Sequence, residues 1–342
     1  MRDTGTDDAR VRVRPNRRGS RPRTKVRPEH SDATWALVLG VDRGRYQLLS
    51  DGGVRLVAVK ARELGRGERS AVVVGDRVGV VGDVSGRRDT LARIVKVADR
   101  TSVLRRSADD TASGEAGPER VIVANADQLL IVTAVADPEP RPRLVDRCLV
   151  AAYDAGMDPV LCVTKADLAD PAPFLQRYAA LEVPAMVTSV VEGAVAGIET
   201  VRERLADRTS VLVGHSGVGK STLVNALVPD ADRATGEVNA VTGRGRHTSS
   251  SAVALALPGG GWAIDTPGVR SFGLQHVGPE DLLQAFDDLA AVALDCPRGC
   301  THAEDAPDCA LDDWVADGRA GAAGEERLAS FRRLLEARSL DQ

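Results

Sequence analysis

The chain has 342 residues, 43% of them hydrophobic, and a formal net charge of −4. That length allows two or three domains and that apolar content a sizeable core, while no apolar run is long enough to cross a membrane. Five cysteines in a chain of this size argue against a disulfide framework, and three of them cluster with a histidine near the C-terminus, which points to a metal in a reducing cytoplasm.

The charge is unevenly spread. Arg10, Arg12, Arg14, Arg17, Arg18, Arg21, Arg23, Lys25 and Arg27 crowd one short stretch. No apolar core follows them, so the start does not read as a secretory signal, and Asp3, Asp7 and Asp8 leave an organellar transit peptide poorly supported. Residues 1–31 lack apolar periodicity and are expected to be disordered. Such an arm can track a nucleic-acid backbone by releasing counterions, or it can serve only as a solubilising tail.

Residues 32–100 read as about five short strands, with turn signals at Asp42-Arg43-Gly44 and Asp51-Gly52-Gly53. That pattern predicts a small closed barrel of the oligonucleotide-binding (OB) type. Trp35 and Tyr46 are too few for extensive base stacking, so backbone contact through Arg43, Arg45, Lys60, Arg62 and Arg66 is the better expectation. A barrel used only as a protein-contact surface is the alternative.

Asp109-Asp110, Ser113-Gly114 and Gly117-Pro118 mark residues 101–120 as a linker or mobile loop. Beyond it, strands and helices alternate. Strands are predicted at Leu129–Val135, Pro159–Val163 and Ala185–Thr188, with helices at Pro142–Ala155, about 172–181 and about 195–206. This alternation implies a mostly parallel sheet whose ligands bind at the C-terminal ends of the strands. One strand end carries Thr164-Lys165-Ala166-Asp167. A carboxylate there can accept from both N1–H and the 2-amino group of guanine, a donor pair adenine lacks, while the lysine stem can lie over the ring. The usual form of this motif has Asn first, and Thr164 is a variant of it. Thr188-Ser189 is expected to offer backbone contact to the guanine oxygen.

Val211–Val213 then runs into Gly214-His215-Ser216-Gly217-Val218-Gly219-Lys220-Ser221, and a helical pattern follows from Thr222. This fits G-x-x-x-x-G-K-[ST] at every fixed position. Glycines let backbone N–H groups approach phosphate oxygens, and the following helix adds its positive end. Lys220 is expected at the β- and γ-phosphates and Ser221 on Mg²⁺, with His215 at the surface. Downstream, Gly243-Arg244-Gly245-Arg246-His247-Thr248-Ser249-Ser250 reads as a loop on which Thr248, or failing that Ser249, completes the Mg²⁺ shell and senses the γ-phosphate. Asp265-Thr266-Pro267-Gly268 matches D-x-x-G, with Asp265 towards Mg²⁺ through water and the Gly268 N–H towards the γ-phosphate.

Cys296, Cys300, His302 and Cys309 form C-x3-C-x-H-x6-C, a closed set of three thiolates and one imidazole suited to a structural zinc. Cys148 and Cys162 read as core packing. Helices are predicted at about 279–293 and 324–338, and the charged stretch Glu325–Arg338 is expected to lie on RNA or face solvent.

The order of these elements is itself informative. Ordinary small GTPases run from phosphate loop to switch threonine, D-x-x-G and then the base-reading motif; here the base-reading motif comes first. A circular permutation preserves a sheet when the original termini lie close together. With a barrel before it and a Cys/His cluster after it, the chain closely resembles the RsgA (YjeQ) family of circularly permuted GTPases that assist maturation of the small ribosomal subunit. The family's usual spacing between the first two cysteines is one residue longer. The resemblance implies an OB-type barrel over 32–100, an α/β permuted P-loop GTPase domain over 101–278 and a mostly helical zinc-binding domain over 279–342. It also implies GTP hydrolysis to GDP stimulated by the small subunit and contact with its ribosomal RNA. Separately, a cytoplasmic monomer without membrane attachment is expected.

Val269 stands where Ras-like proteins carry the glutamine that orients water, so intrinsic hydrolysis is expected to be slow. His247 is the candidate for that role, or it contacts only RNA or solvent. A GTP-sensing RNA-binding scaffold with incidental hydrolysis is one rival reading, and a P-loop kinase or ATPase, disfavoured by Asp167, is another.

Overall fold

The computed structural model describes residues 30–65, 71–106, 120–191, 194–228, 252–266, 272, 274 and 277–339. The basic arm, Arg66, the loop with His247, Thr248 and Ser249, and Gly268 and Val269 lie outside them. All the elements below belong to the unit Asp32–Gln342.

Five strands form the first part: β1 (Thr34–Asp42), β2 (Arg45–Ser50), β3 (Arg55–Lys60), β4 (Arg77–Gly82) and β5 (Ala92–Val97). Their sequence alternates, so Tyr46, Leu48 and Ser50 of β2 turn inward while Arg45, Gln47 and Leu49 do not. β1 pairs with both β2 and β4, β3 runs parallel to β5, and β5 returns to β4, closing a barrel of the expected OB type. Ala36, Val38, Leu48, Leu56, Val78, Val80 and Ile94 fill it.

The stretch read as a linker is partly a strand pair. β6 (Val103–Arg106) lies antiparallel to β7 (Arg120–Ala124), with residues 107–119 between them outside the described set. The strand character of Val103-Leu104 was hidden by the turn-forming residues that follow.

The central sheet contains β8 (Gln128–Ala134), β9 (Asp158–Thr164), β10 (Ala185–Val187), β13 (Thr209–Val213), β14 (Val253–Ala256) and β15 (Trp262–Asp265), in the order β10-β9-β8-β13-β15-β14. A small pair, β11 (Ser189–Val191) and β12 (Ala194–Ala196), lies apart. Only β14 is antiparallel to its sheet neighbour β15. β14 also meets β1 at Gly40↔Val253, so barrel and sheet share one hydrogen-bonded surface. Every residue of β8 is buried, as befits a parallel strand covered on both faces.

On one face lie α3 (Ile198–Leu205) and α4 (Lys220–Leu227), which bury Val201, Leu205, Leu223, Val224 and Leu227. On the other lies α1 (Pro142–Asp154), whose Val145, Cys148, Leu149 and Ala152 recur at helical spacing and are buried. Burial pushes the thiols of Cys148 and Cys162 up to about 12, leaving both as packing groups. The segment predicted as one helix over 172–181 is α2 (Ala172–Gln176) and a separate 3₁₀ turn (Ala179–Leu181), between which Tyr178 drops into the core against Phe174.

The C-terminal part is helical: α5 (Pro279–Leu283), α6 (Asp287–Ala293), α7 (Ala310–Ala316) and α8 (Gly321–Ser339). A single helix was expected over 279–293; it breaks where Phe286 turns inward to meet Phe331 edge-on at 5.6 Å. The helix expected to lie on RNA or face solvent instead buries Leu328, Phe331, Leu334 and Leu335. Their three- and four-residue spacing makes an apolar stripe within the charged stretch, and each such side chain contributes about 1.5–3 kcal/mol when buried. α8 docks on α1, where Arg333 Nε donates to buried Asp146 at 3.2 Å.

Where the barrel meets the β6–β7 pair, the two backbones cross tightly. Gly75 has φ +89°, and a Cβ there would stand 1.9 Å from the Ala124 carbonyl oxygen. Asn125 donates to the Gly75 carbonyl at 2.9 Å, and Arg100 forks onto fully buried Asp76 at 2.7 and 2.8 Å. Gly75→Ala is expected to cost about 2 kcal/mol or more, from a disallowed backbone conformation plus a displaced strand. Gly52→Ala, whose Cβ meets nothing nearer than 3.8 Å, should be close to neutral. Urea unfolding of both variants checks this.

Candidate functional site

The sheet order sets the site. β9 and β13 are both hydrogen-bonded to β8, so their C-terminal ends stand two strand spacings apart, about 9.6 Å. One end carries the phosphate loop and the other Thr164-Lys165-Ala166-Asp167.

The loop leaves β13 at Gly214, where a Cβ would come within 2.3 Å of the Val132 carbonyl oxygen. Only glycine permits that approach to β8. Helix α4 starts at Lys220 with Gly219 as its N-cap at φ +87°. Ser216, Gly217, Ser221 and Thr222 are exposed, and Val218 is buried as an anchor. Lys220 Nζ donates to the Thr266 carbonyl at 3.2 Å and stands 3.2 Å from Asp265 Oδ1, without the alignment of a hydrogen bond. That Asp265 oxygen is buried and has no hydrogen-bond partner among the described residues. An orphaned carboxylate oxygen beside the phosphate loop suits the shell of a divalent cation.

His215 was expected at the surface, but it is half-buried. Its Nδ1 lies 3.0 Å from the Ser216 carbonyl, and Nε2 is buried without a partner among the described residues. The loop turns its side chain back against the protein.

Thr164 is 5% exposed, and its hydroxyl donates to the Val218 carbonyl at 2.5 Å. The base-reading motif is thus tied directly to the phosphate loop. Lys165 has φ +58°, and its Nζ donates to the Asp137 carbonyl, in the loop whose Pro138 lies beside Gly217. Asp167 is exposed, with one oxygen accepting from the Val190 N–H at 3.3 Å. Ala166 N–H donates to the Thr188 carbonyl at 3.2 Å, and Thr188 N–H to Val163 at 2.8 Å. The backbone of Thr188 therefore holds the motif in place, while half-buried Ser189 opens the next strand.

A second cluster lies among the C-terminal helices. One ligand atom from each of Cys296, Cys300, His302 and Cys309 lies within 4.8 Å of the others. Cys296 Sγ stands 4.0 Å from Cys309 Sγ and 3.6 Å from His302 Nδ1, and Cys309 Sγ is 3.8 Å from that nitrogen. A tetrahedron with metal–sulfur bonds of 2.3 Å has edges of about 3.8 Å. The short Cys296–Cys300 spacing is accommodated by a turn, with Cys300 N–H on the Pro297 carbonyl and Gly299 at φ +79°. Burial pushes the Cys309 thiol up to about 11 and holds His302 below its usual value. A bound cation favours thiolate and neutral imidazole, which lowers the cost of burying them.

The sequence profile of the RsgA GTPase family matches residues 97–275. The small ribosomal subunit biogenesis GTPase RsgA of Chlorobaculum parvum is 38% identical over 275 residues, covering 79% of this chain and 86% of that protein. The chain belongs to the RsgA GTPase family. The crystal structure of YjeQ from Thermotoga maritima superposes with a TM-score of 0.62 at 26% identity, covering 88% of this chain and 98% of that one. YloQ, a circularly permuted GTPase, shares the fold at a TM-score of 0.61 and 22% identity.

Within this RsgA family frame, sequence reasoning missed Asp137, whose carbonyl holds Lys165, and the arginines of α1. Arg147 is buried and donates to the carbonyls of Phe272 and Ala337, both at 3.1 Å. A charged residue at an otherwise apolar position of a helix was the available signal. Thr164→Ala would leave the Val218 carbonyl unsatisfied, a loss of about 1–3 kcal/mol. GTP affinity should fall about tenfold, whereas Thr164→Ser should keep nearly all of it; titration with a fluorescent GTP analogue reads both.

Proposed function

We propose that this chain binds the small ribosomal subunit and assists its late maturation, hydrolysing GTP to GDP and phosphate when the subunit is engaged. The observation that carries the reading is the bond from Thr164 to Val218, which sets the guanine motif and the phosphate loop at one sheet edge. Asp167 accepts from the guanine edge, Lys165 covers the ring, and Thr188-Ser189 frames it. The N–H groups of Gly214 to Gly219 face the phosphates, and Lys220 leaves Asp265 and Thr266 to reach them.

Mg²⁺, when bound, offsets phosphate charge; the hydroxyls of Ser221 and Thr248, with Asp265 through water, are the groups to hold it. His247 orients the water that attacks the γ-phosphorus, and the bond to the β-phosphate oxygen breaks as GDP leaves. The Gly268 N–H reads the γ-phosphate. Val269 lacks a polar group, so turnover waits for the subunit.

The working division is an arm over 1–31, a barrel over 32–100, a GTPase domain over 101–278 and a zinc domain over 279–342. Barrel and zinc domain grip ribosomal RNA in the GTP form and release it after hydrolysis. The protein acts as a monomer in the cytoplasm, and no helix among the described residues is long and apolar enough to cross a membrane.

GTP turnover, measured alone and with small subunits, large subunits or free RNA, should rise by an order of magnitude or more with small subunits only. A rate indifferent to all three sinks the proposal. Zinc is the metal proposed for Cys296, Cys300, His302 and Cys309. Metal analysis should find one per chain, and a chelator should lower the melting temperature by several degrees, about the effect of a few kcal/mol. Full stability without bound metal would remove zinc from the account.

A further inference from the structure

A cavity of about 930 Å³ opens beside the phosphate loop, lined by Arg141, Arg143, Arg147 and Arg177 together with His215 and Ser216. No carboxylate is among its described lining residues. Arg141, Arg143 and Arg177 are exposed, and among the described residues neither Arg141 nor Arg143 has an acidic partner. The carboxylate nearest Arg177, at 4.0 Å, is buried Asp146, which Arg333 already engages.

The start of α1 sharpens this. Its first turn has no acidic residue and its N-cap, Arg141, makes no side-chain cap. Helix starts favour carboxylates, because the end of the helix is positive and its N–H groups lack acceptors. Two arginines there oppose the helix's own field. Local choices that work against the fold are expected where a ligand supplies the missing charge. His215 and Ser216 of the phosphate loop line the same cavity.

We infer that this cavity takes successive phosphates of an RNA backbone, and that it is the surface through which the subunit's RNA reaches the phosphate loop. Guanidinium forks match phosphate oxygens in pairs. Arginines spread from α1 to the residue after α2 suit a row of phosphates better than a single one. The inference rests on the ribosomal reading above and adds to it a place on the protein where RNA contact meets the nucleotide site.

The test compares the full chain with the double variants Arg141→Ala/Arg143→Ala and Arg141→Lys/Arg143→Lys. The readout is the ratio of GTP turnover with and without small subunits, and subunit affinity, across a range of KCl concentrations. The alanine pair should lower the ratio at least about fivefold and flatten the slope of log affinity against log salt by about 1.4–1.8, the share of two lost phosphate contacts. The lysine pair should keep most of the slope. An unchanged ratio and slope in the alanine pair overturn the inference. So does inorganic pyrophosphate binding that needs Arg141 and Arg143 while RNA stimulation does not. If the unaltered protein is not stimulated at all, the ribosomal reading fails instead. Retention of isolated small-subunit RNA then judges the cavity, and equal affinity for native and alanine chains overturns it.

Discussion

Parallel hydrogen bonding of β13 and β9 to the two edges of β8 is the constraint on which the site depends. Leu212↔Leu130 on one side and Val132↔Cys162 on the other fix where each neighbour ends. Those ends launch the phosphate loop and the guanine motif, and Thr164 then closes the gap by bonding Val218. None of these contacts depends on which strand the ribosome makes first. A sheet is held by neighbours in space, so rotating the chain order leaves it intact provided the new connection is short. Here α3 supplies that connection, leading from the β10 edge back to β13 in the middle of the sheet.

Motifs were legible because phosphate chemistry leaves few residue choices. Gly214 is demanded by a backbone approach that any Cβ would block, so its identity can be read without coordinates. The barrel was legible through the two-residue alternation of strands such as β2. The cysteine cluster was legible as a ligand set, although only geometry could show that the short spacing closes. Thr164 was read as a variant of asparagine; its bond across to the phosphate loop shows that a hydroxyl suffices to tie the two motifs together.

What stayed hidden was tertiary. The pairing of β6 with β7, the break at Phe286 and the docking of α8 all depend on partners distant in sequence. The apolar stripe Leu328–Phe331–Leu335 lies in so charged a stretch that its surroundings suggested solvent. Arg147 is the extreme case, because a buried arginine on an apolar helix looks misplaced until its two carbonyl partners are seen.

Those partners tie together parts of the chain that lie far apart in sequence. Below the D-x-x-G motif the chain reaches Phe272, whose side chain is buried and whose carbonyl Arg147 holds, while the same guanidinium holds Ala337 near the end of α8. Burying a guanidinium costs several kcal/mol unless its N–H groups stay satisfied, so a shift of either carbonyl away from Arg147 is resisted by the other. Helix α1 therefore meets the nucleotide site through Arg141 and Arg143 at its start and the C-terminal helices through Arg147 one and two turns on. One buried cation thus joins Phe272 to the end of α8, so α1 and α8 would follow or oppose a displacement of Phe272 together.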